Sequence, residues 1–265
     1  MALVNKNKPS SDWEEIPVAT SKPSRGVLIN VDGLEGHGKS SLALTMAKFG
    51  MIAYIDIDRS IDRAQRPALK KGKKFEAKLI PIRYRASLSE ADNKAQCGPA
   101  WNKIRQSGLE ASEKWAKTVI VDTADEAWEI LRLGAFGTVT PKGRTDSLYG
   151  PVNASYRQWL RTMQRHNMKH VVLVNKMKEI WKKGSDGQSS RTGKFERVGF
   201  KELGYLADMS LTAFVDDRGK FMVRIDMCKL APNGPSLQGT EYEVEDMDLP
   251  AILCMATETE PDEWL

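Results

Sequence analysis

The chain has 265 residues, of which 41% are apolar and 28% charged, with a formal net charge of +5. This apolar content can build a core, which excludes disorder along the whole chain, and no apolar run approaches the ~18 residues of a transmembrane helix. Residues 230–265 hold nine acids and no Lys or Arg, a net charge of −9, which leaves +14 on residues 1–229. A basic body of this kind favours a polyanionic partner.

Composition divides the chain into three segments. Residues 1–25 contain three prolines and predict an extended N-terminal arm. Residues 26–232 alternate apolar runs with amphipathic stretches and predict one α/β core. Residues 233–265 predict an acidic C-terminal tail, with three interpretations left open: docking in a basic pocket of a partner protein, folding back onto this chain's own basic loops, or a disordered solubilising segment.

The first predicted strand, residues 27–32, leads into a loop that matches the phosphate-binding pattern G-x-x-x-x-G-K-[ST]. A helix is predicted after it, from Ser41 to Phe49. In this strand–loop–helix context the glycines turn backbone N–H groups toward phosphate oxygens, Lys39 reaches the β- and γ-phosphates of ATP, and Ser40 binds Mg²⁺. The residues expected to contact the nucleotide are Gly33, Leu34, Glu35, Gly36, His37, Gly38, Lys39, Ser40 and Ser41.

Two further predicted strands lead to carboxylates that are candidates for metal binding or catalysis. The buried strand 118–122 ends in Asp122, whose carboxylate we expect beside Ser40, holding the water shell of Mg²⁺. The second strand, 51–57, ends before Asp58. Other predicted strands are 79–83, 170–174, 211–215 and 221–227, and predicted helices are 100–117, 123–133 and 153–167.

This alternation predicts an α/β fold with a mostly parallel sheet flanked by helices and a C-terminal antiparallel hairpin that turns at residues 216–220. Ligands of such sheets bind at the carboxyl ends of the strands. Cys97, Cys228 and Cys254 are widely spaced, form no metal pattern, and favour a reducing cytoplasm.

The stretch from Tyr54 to Asp62 resembles the segment that ends the second core strand in the bacterial RecA recombinase family, where a glutamate polarises the attacking water. The resemblance implies a RecA-like phosphate-loop NTPase core, with Asp58 at the position of that glutamate. Glu35 matches a glutamate in the family's phosphate loop. Aspartate is one methylene shorter than glutamate, so the resemblance implies altered hydrolysis rather than an altered fold.

Two lysines are also assigned by this resemblance. Lys176 stands where the family has a glutamine that couples the γ-phosphate to a DNA-binding loop, so it joins Lys39, Asp58 and Asp122 as a catalytic candidate. Lys229 matches a basic residue that reaches the nucleotide of a neighbouring subunit. Residues 201–208 and the short chain resemble phage-encoded RecA-like ATPases of the single-strand-annealing kind, which implies the cytoplasm of a bacterial host.

The resemblance places DNA contacts on two loops. Residues 134–151 are expected to form the first, and residues 176–201, with eight basic and three acidic side chains, the second. Gly and Ser residues between 184 and 190 favour a mobile second loop, and Trp181, Phe195 and Phe200 are interleaved with its charges, as suits single-stranded DNA. The candidate DNA-binding residues are Lys142, Arg144, Lys178, Lys182, Lys183, Arg191, Lys194 and Arg197.

These observations predict an ATPase, using ATP and Mg²⁺, that assembles as a filament or ring on single-stranded DNA and promotes annealing or strand exchange. Two alternatives stay open. One is a small-molecule phosphotransferase, with residues 176–201 as its lid. The other is a nucleotide-gated binding module with little turnover, which the departures at Asp58 and Lys176 favour.

Overall fold

The structure, a computed structural model, describes residues 26–64, 77–85, 89–138, 145–165, 169–183 and 188–265. The strands are β1 (Leu28–Gly33), β2 (Ile52–Asp56), β3 (Ala77–Pro81), β4 (Thr118–Asp122), β5 (His170–Lys183), β6 (Ser189–Arg197), β7 (Met209–Val215), β8 (Phe221–Cys228) and β9 (Glu241–Glu243). The helices are α1 (Lys39–Leu44), α2 (Glu90–Lys114), α3 (Ala124–Phe136), α4 (Thr145–Arg165), α5 (Leu203–Leu206) and α6 (Leu249–Thr257). Single 3₁₀ turns lie at Thr45–Phe49, Gly234–Leu237 and Pro261–Trp264.

One sheet organises the molecule, with strand order β3-β2-β4-β5-β1-β7-β8-β9. The pairs from β3 to β7 are parallel, whereas β8 and β9 add antiparallel strands at one side. The central strands are buried on both faces, as their continuous apolar runs require. The predicted α/β fold class, with its C-terminal hairpin, is confirmed.

Helices cover the two faces of the sheet with two separate cores. On one face α2, α3 and α4 bury a cluster of aromatic side chains that includes Trp101, Trp128 and Tyr156. On the other face α1 and α6 bury Leu42, Leu253 and their neighbours. Tyr156 is 1% exposed, so its ring belongs to the core. Within the described ranges, no helix has the length and apolar character needed to cross a bilayer.

The parallel register brings the strand ends together at one edge of the sheet. Asp56 at the end of β2 lies opposite Asp122 at the end of β4. Asp32 near the end of β1 lies opposite Asn175 in β5. Residues separated by tens of positions in the chain therefore meet at a single edge, which is where the phosphate loop begins.

The acidic C-terminal segment folds against the face that carries α1. Asp248 caps α6 by accepting a hydrogen bond from the Ala251 N–H at 3.2 Å. Trp264 is 0% exposed, and its ring lies 5.9 Å from that of Phe49 and 5.2 Å from that of His170. The disordered-tail interpretation is therefore wrong for these residues, because apolar positions spaced along α6 and a terminal tryptophan enter the core.

The two predicted DNA loops differ from expectation. Residues 176–201 do not form a simple loop: β5 continues to Lys183 and pairs antiparallel with β6, so a β-hairpin projects from the sheet edge. Its β-branched and aromatic residues favour strands more strongly than its Gly and Ser residues favour a loop. In the first loop, α3 continues to Phe136 and α4 already begins at Thr145. Residues 139–144, with Lys142 and Arg144, lie outside the described residues, as does the arm 1–25.

Candidate nucleotide site

The phosphate loop connects the buried end of β1 to the start of α1. Gly36 and Gly38 have φ angles of 78° and 81°, a region that side chains with a Cβ rarely adopt, so glycine is required at both positions. Lys39 is 8% exposed and donates a hydrogen bond from Nζ to the Leu34 carbonyl at 2.6 Å. The lysine therefore folds back over its own loop, where an anion would be cradled.

The electrostatics around Lys39 also favour an anion. Burial lowers the pKa of its ammonium group, while Asp122, Asp125 and Asp58 act in the opposite direction. A poorly hydrated cation gains more from a phosphate oxygen than a fully solvated one does.

Asp122, at the end of β4, is 1% exposed and is surrounded by hydroxyl groups. Its Oδ2 accepts hydrogen bonds from Ser40 Oγ at 2.5 Å, from Ser60 Oγ at 2.6 Å and from the Tyr54 hydroxyl. Burial and the nearby charge of Asp58 raise the pKa of Asp122, and the three hydroxyls oppose that rise. The predicted approach of Ser40 and Asp122 is thus present, over a separation of 82 positions in the chain.

These residues fit a magnesium ion. Among the described residues, the second carboxylate oxygen of Asp122, Oδ1, has no hydrogen-bond partner although it is buried. Carboxylate and hydroxyl oxygens are the ligands that Mg²⁺ takes in nucleotide sites. Asp122 and Ser40 would hold the ion, directly or through its water shell.

Two carboxylates lie at the end of β2 and just beyond it. Asp56 is 5% exposed, and burial raises its pKa to about 6. Asp58 lies two residues further on and lines the cavity of about 590 Å³ beside the phosphate loop. The Ser60 N–H donates to Asp56 Oδ1 and to Asp58 Oδ1, both at 3.0 Å, and so fixes the two side chains relative to each other. Of the two, Asp58 is the one that faces the cavity.

Lys176 lies where β5 leaves the sheet, and carboxylates surround it. Its Nζ donates to Glu126 and lies 4.0 Å from Asp58 Oδ2, and its backbone N–H donates to Asp125 Oδ1 at 3.2 Å. Burial lowers the pKa of Lys176, but the hydrogen bond and charge of Glu126 outweigh it, so the net shift is upward. Burial raises the pKa of Asp125 to about 6.

Most of the residues predicted to form the nucleotide site line the 590 Å³ cavity. Its lining includes Glu35, Gly36, Gly38, Lys39, Ser40, Ser41, Asp58, Asp122 and Lys176. Gly33, Leu34 and His37 belong to the loop but not to this lining, although the Leu34 carbonyl holds Lys39.

Sequence reasoning missed several residues of this site. Ser60, Arg63 and Phe221 also line the cavity, and Tyr54 lies behind Asp122. Phe221 begins β8 and sits against the phosphate loop: a Cβ built on Gly38 would lie 3.0 Å from its ring. No local motif marks these residues, because they reach the site through strand pairing and the β2–β3 connection.

Lys229 is not part of this cavity. It follows Cys228, whose partner Met209 is the first residue of β7, so Lys229 lies at the opposite edge of the sheet. Its Nζ donates to the carbonyls of Gly204, Tyr205 and Ala207 at 3.3, 2.9 and 2.9 Å. A nucleotide contact by Lys229 would involve only the nucleotide of another copy, and it stays a prediction.

The β5–β6 hairpin presents most of the predicted DNA-binding side chains. Lys182, Lys183 and Lys194 are exposed and have no ion pair with any residue in the described part of the chain. Two others are paired: Lys178 lies 3.2 Å from Glu196, and Arg191 lies 3.5 Å from Glu179.

The aromatic residues of this region divide between solvent and core. Trp181 is 54% exposed, with the Arg191 guanidinium 5.3 Å from its ring centroid, and Phe195 is 43% exposed. Phe200 is 4% exposed and packs against Trp128, so it cannot stack on a base as expected. Arg197 also turns inward, toward Asp32.

Comparison with known proteins finds one family model that matches most of the chain. The profile described as "AAA domain" matches residues 25–230. No curated protein matches the chain. A solved structure described as "Crystal structure of the RadB recombinase" aligns with 82% of this chain and 86% of that chain, at 16% sequence identity and a TM-score of 0.47.

Proposed function

The chain belongs to the AAA domain family, and we propose that it is a DNA-dependent ATPase that binds single-stranded DNA and promotes annealing or strand exchange. One observation carries the proposal. The strand β5 that delivers Lys176 to the nucleotide cavity continues without interruption into the cationic hairpin. A polynucleotide on the hairpin and a triphosphate in the cavity would thus contact one continuous strand.

Each cavity residue has a distinct role in the proposed hydrolysis. Lys39 balances the negative charge of the β- and γ-phosphates, and Ser40 and Asp122 hold Mg²⁺. When bound, Mg²⁺ neutralises charge that develops on the phosphate oxygens. Asp58 orients the attacking water and accepts its proton, and Lys176, whose Nζ lies 4.0 Å from Asp58 Oδ2, holds this side chain in place.

The hairpin would bind DNA through charge and stacking. Lys182, Lys183 and Lys194 have no competing carboxylate among the described residues and can follow the phosphate backbone. Trp181 offers an exposed ring on which a base can stack. Backbone contacts carry no sequence information, so we expect little sequence preference and an affinity that falls with salt.

The proposal includes an oligomer, a filament or a ring, in the cytoplasm of a bacterial host. The place of Lys229, at the sheet edge opposite its own phosphate loop, supports a contact with the nucleotide of a neighbouring copy. Exposed acids of the C-terminal segment, such as Asp246 and Asp262, offer negative charge to a partner protein.

A second candidate function is a nucleotide-gated DNA-binding module with little turnover. The observation in its favour is that Glu126 already holds Lys176. A lysine bound in this way contacts a γ-phosphate only if it first leaves the carboxylate, which would slow hydrolysis.

One assay separates these functions: ATP hydrolysis with and without single-stranded DNA, in the native chain and in Lys39→Ala. Hydrolysis that DNA stimulates, and that Lys39→Ala abolishes, supports the proposed ATPase. Tight ATP binding without turnover supports the gated module. Turnover that requires a small-molecule acceptor, or unchanged turnover in Lys39→Ala, contradicts both.

A further inference from the structure

One arginine of the cationic hairpin faces the protein instead of solvent. At the end of β6, Arg197 Nε lies 2.8 Å from Asp32 Oδ1 and 2.9 Å from Oδ2, and its Nη2 lies 2.5 Å from Oδ2. The side chains of Arg197 and Asp32 are 21% and 7% exposed. A forked arginine–carboxylate contact fixes distance and orientation together, which a single lysine contact does not.

Two buried amides extend this ion pair into the sheet. Asn30 donates from Nδ2 to Asp32 Oδ2 at 2.7 Å, and Asn175 donates from Nδ2 to Asn30 Oδ1 at 2.5 Å. Asn30 and Asn175 are 0% and 1% exposed. Because a buried polar group is costly to leave without its partner, a displacement of one member disturbs the next.

Both ends of this chain of contacts adjoin the proposed machinery. Asp32 directly precedes Gly33, where the phosphate loop begins, and Asn175 directly precedes Lys176. Arg197 lies opposite Met177, at the base of the hairpin. The contacts therefore join the two segments that the proposed function requires to communicate.

We propose that Asp32 and Arg197 are positioning residues that couple nucleotide binding at the phosphate loop to the placement of the hairpin. Coupling between two sites requires an element with two arrangements. The structure shows the hairpin base held by Asp32, and the second arrangement in the proposal is its release. This inference rests on the proposed function for the nucleotide in the cavity and for the ligand of the hairpin, but not for DNA-stimulated hydrolysis. It removes Arg197 from the DNA-contacting set and gives Asp32 a role that no motif indicates.

The variant Asp32→Asn distinguishes the positioning role of Arg197 from a direct contact between Arg197 and DNA. It removes the carboxylate and leaves every cation of the hairpin in place, so a purely electrostatic view predicts DNA binding that is unchanged or tighter. The Asp32–Arg197 ion pair, which we call the clamp, instead predicts that the hairpin and the phosphate loop become independent in this variant. Arg197→Gln should have the same effect, and Arg197→Lys, which keeps the charge but not the fork, should lie between it and the native chain.

Hydrogen–deuterium exchange of residues 177–197 measures this coupling without DNA. With Mg²⁺ and a non-hydrolysable ATP analogue, the native chain should exchange these amides more slowly, by about fivefold or more, the lower end of usual coupling. Asp32→Asn and Arg197→Gln should lose this protection while they still bind the nucleotide. The matched control is Arg157→Gln, which breaks another arginine–carboxylate pair, with Arg157 Nη1 2.7 Å from Glu202 Oε2 and neither residue in β5 or β6; it should keep the protection.

The inference is overturned if the native hairpin gains no protection, or if folded Asp32→Asn and Arg197→Gln retain all of it. If either variant fails to fold, the melting temperature shows it, and the remaining variant decides. DNA-stimulated ATP hydrolysis is measured in parallel. A native chain that DNA does not stimulate, but whose hairpin is protected by nucleotide, contradicts the proposed function and supports the clamp.

Discussion

Replacing Tyr54 by Phe tests the role of the three hydroxyl groups that donate hydrogen bonds to Asp122. The Tyr54 hydroxyl bonds to Asp122 and lies 3.0 Å from Ser60 Oγ, and the whole residue is 0% exposed. Phenylalanine keeps the ring and its packing, so only one hydrogen-bond donor is lost. Ser40 and Ser60 continue to donate to the same carboxylate oxygen.

The magnitude follows from that count of donors. A hydrogen bond to a charged group contributes about 1.5–3 kcal/mol, and the two remaining donors compensate in part. A net loss of about 1.4 kcal/mol corresponds to a tenfold lower affinity for Mg²⁺. This is the lower end of the 10–100-fold loss of metal affinity that follows when a group orienting a metal ligand is removed. The Tyr54 hydrogen bond also lowers the pKa of Asp122. Its loss should therefore make the proton compete better with the metal, and the defect should grow as the pH falls.

The assay is the rate of ATP hydrolysis against free Mg²⁺ at saturating ATP, at two pH values. Tyr54→Phe should need about tenfold more Mg²⁺ for half-maximal rate, with a melting temperature close to that of the native chain. Tyr205→Phe, at a position that is 87% exposed, is the control and should not shift the curve. Superimposable Mg²⁺ curves for Tyr54→Phe and the native chain would refute the role assigned to Asp122 and its hydroxyls.

Three further predictions concern the nucleotide, the core and the hairpin. Lys39→Ala should abolish ATP turnover, and a direct nucleotide-binding measurement should show weakened binding; normal affinity would contradict the placement of the phosphates. His170 is buried against Trp264, and burial lowers its pKa to about 3. Below about pH 6.5, the ordinary pKa of histidine, the imidazole of His170 takes up a proton in the unfolded chain but stays neutral in the native state. The free energy of unfolding should therefore decrease as the pH is lowered, by about 2 kcal/mol at pH 5. Denaturant unfolding of His170→Gln should show less of this loss, and an identical pH dependence would be inconsistent with a neutral buried imidazole. Lys182→Gln and Lys183→Gln should each weaken single-stranded DNA binding and reduce the slope of log affinity against log salt by about 0.7; an unchanged slope would exclude phosphate contacts at these lysines.

Much of the fold was predictable because its signals are local. Apolar runs bounded by polar residues mark strands buried on both faces, and the predicted strand 118–122 coincides with β4. The phosphate loop carries its own glycines, whose positive φ angles at Gly36 and Gly38 depend on the octapeptide alone. Parallel strands end at one edge, so the approach of Asp122 to Ser40 also follows from the order of elements.

The hairpin and the C-terminal segment show where sequence patterns misled. Gly and Ser residues near 184–190 favour a loop, yet pairing of β5 with β6 extends the strand to Lys183. The acidic composition of residues 230–265 suggests a solvated tail, yet a few apolar residues, Trp264 among them, decide its position. In both places a minority of side chains outweighs the average composition, because burial and cross-strand pairing act residue by residue.

Local sequence was sufficient to predict the central strands, the phosphate loop and the carboxylate at the end of β4, since each depends on neighbours within about ten positions. Long-range contacts became visible only in the folded chain: Tyr54 and Ser60 surround Asp122 across 68 and 62 positions, and Arg197 reaches Asp32 across 165. Contacts of this range depend on the register of the sheet and on which way each side chain turns, and neither is encoded in a local pattern. For that reason a charge that resembled a DNA contact became, in the folded chain, part of an internal ion pair.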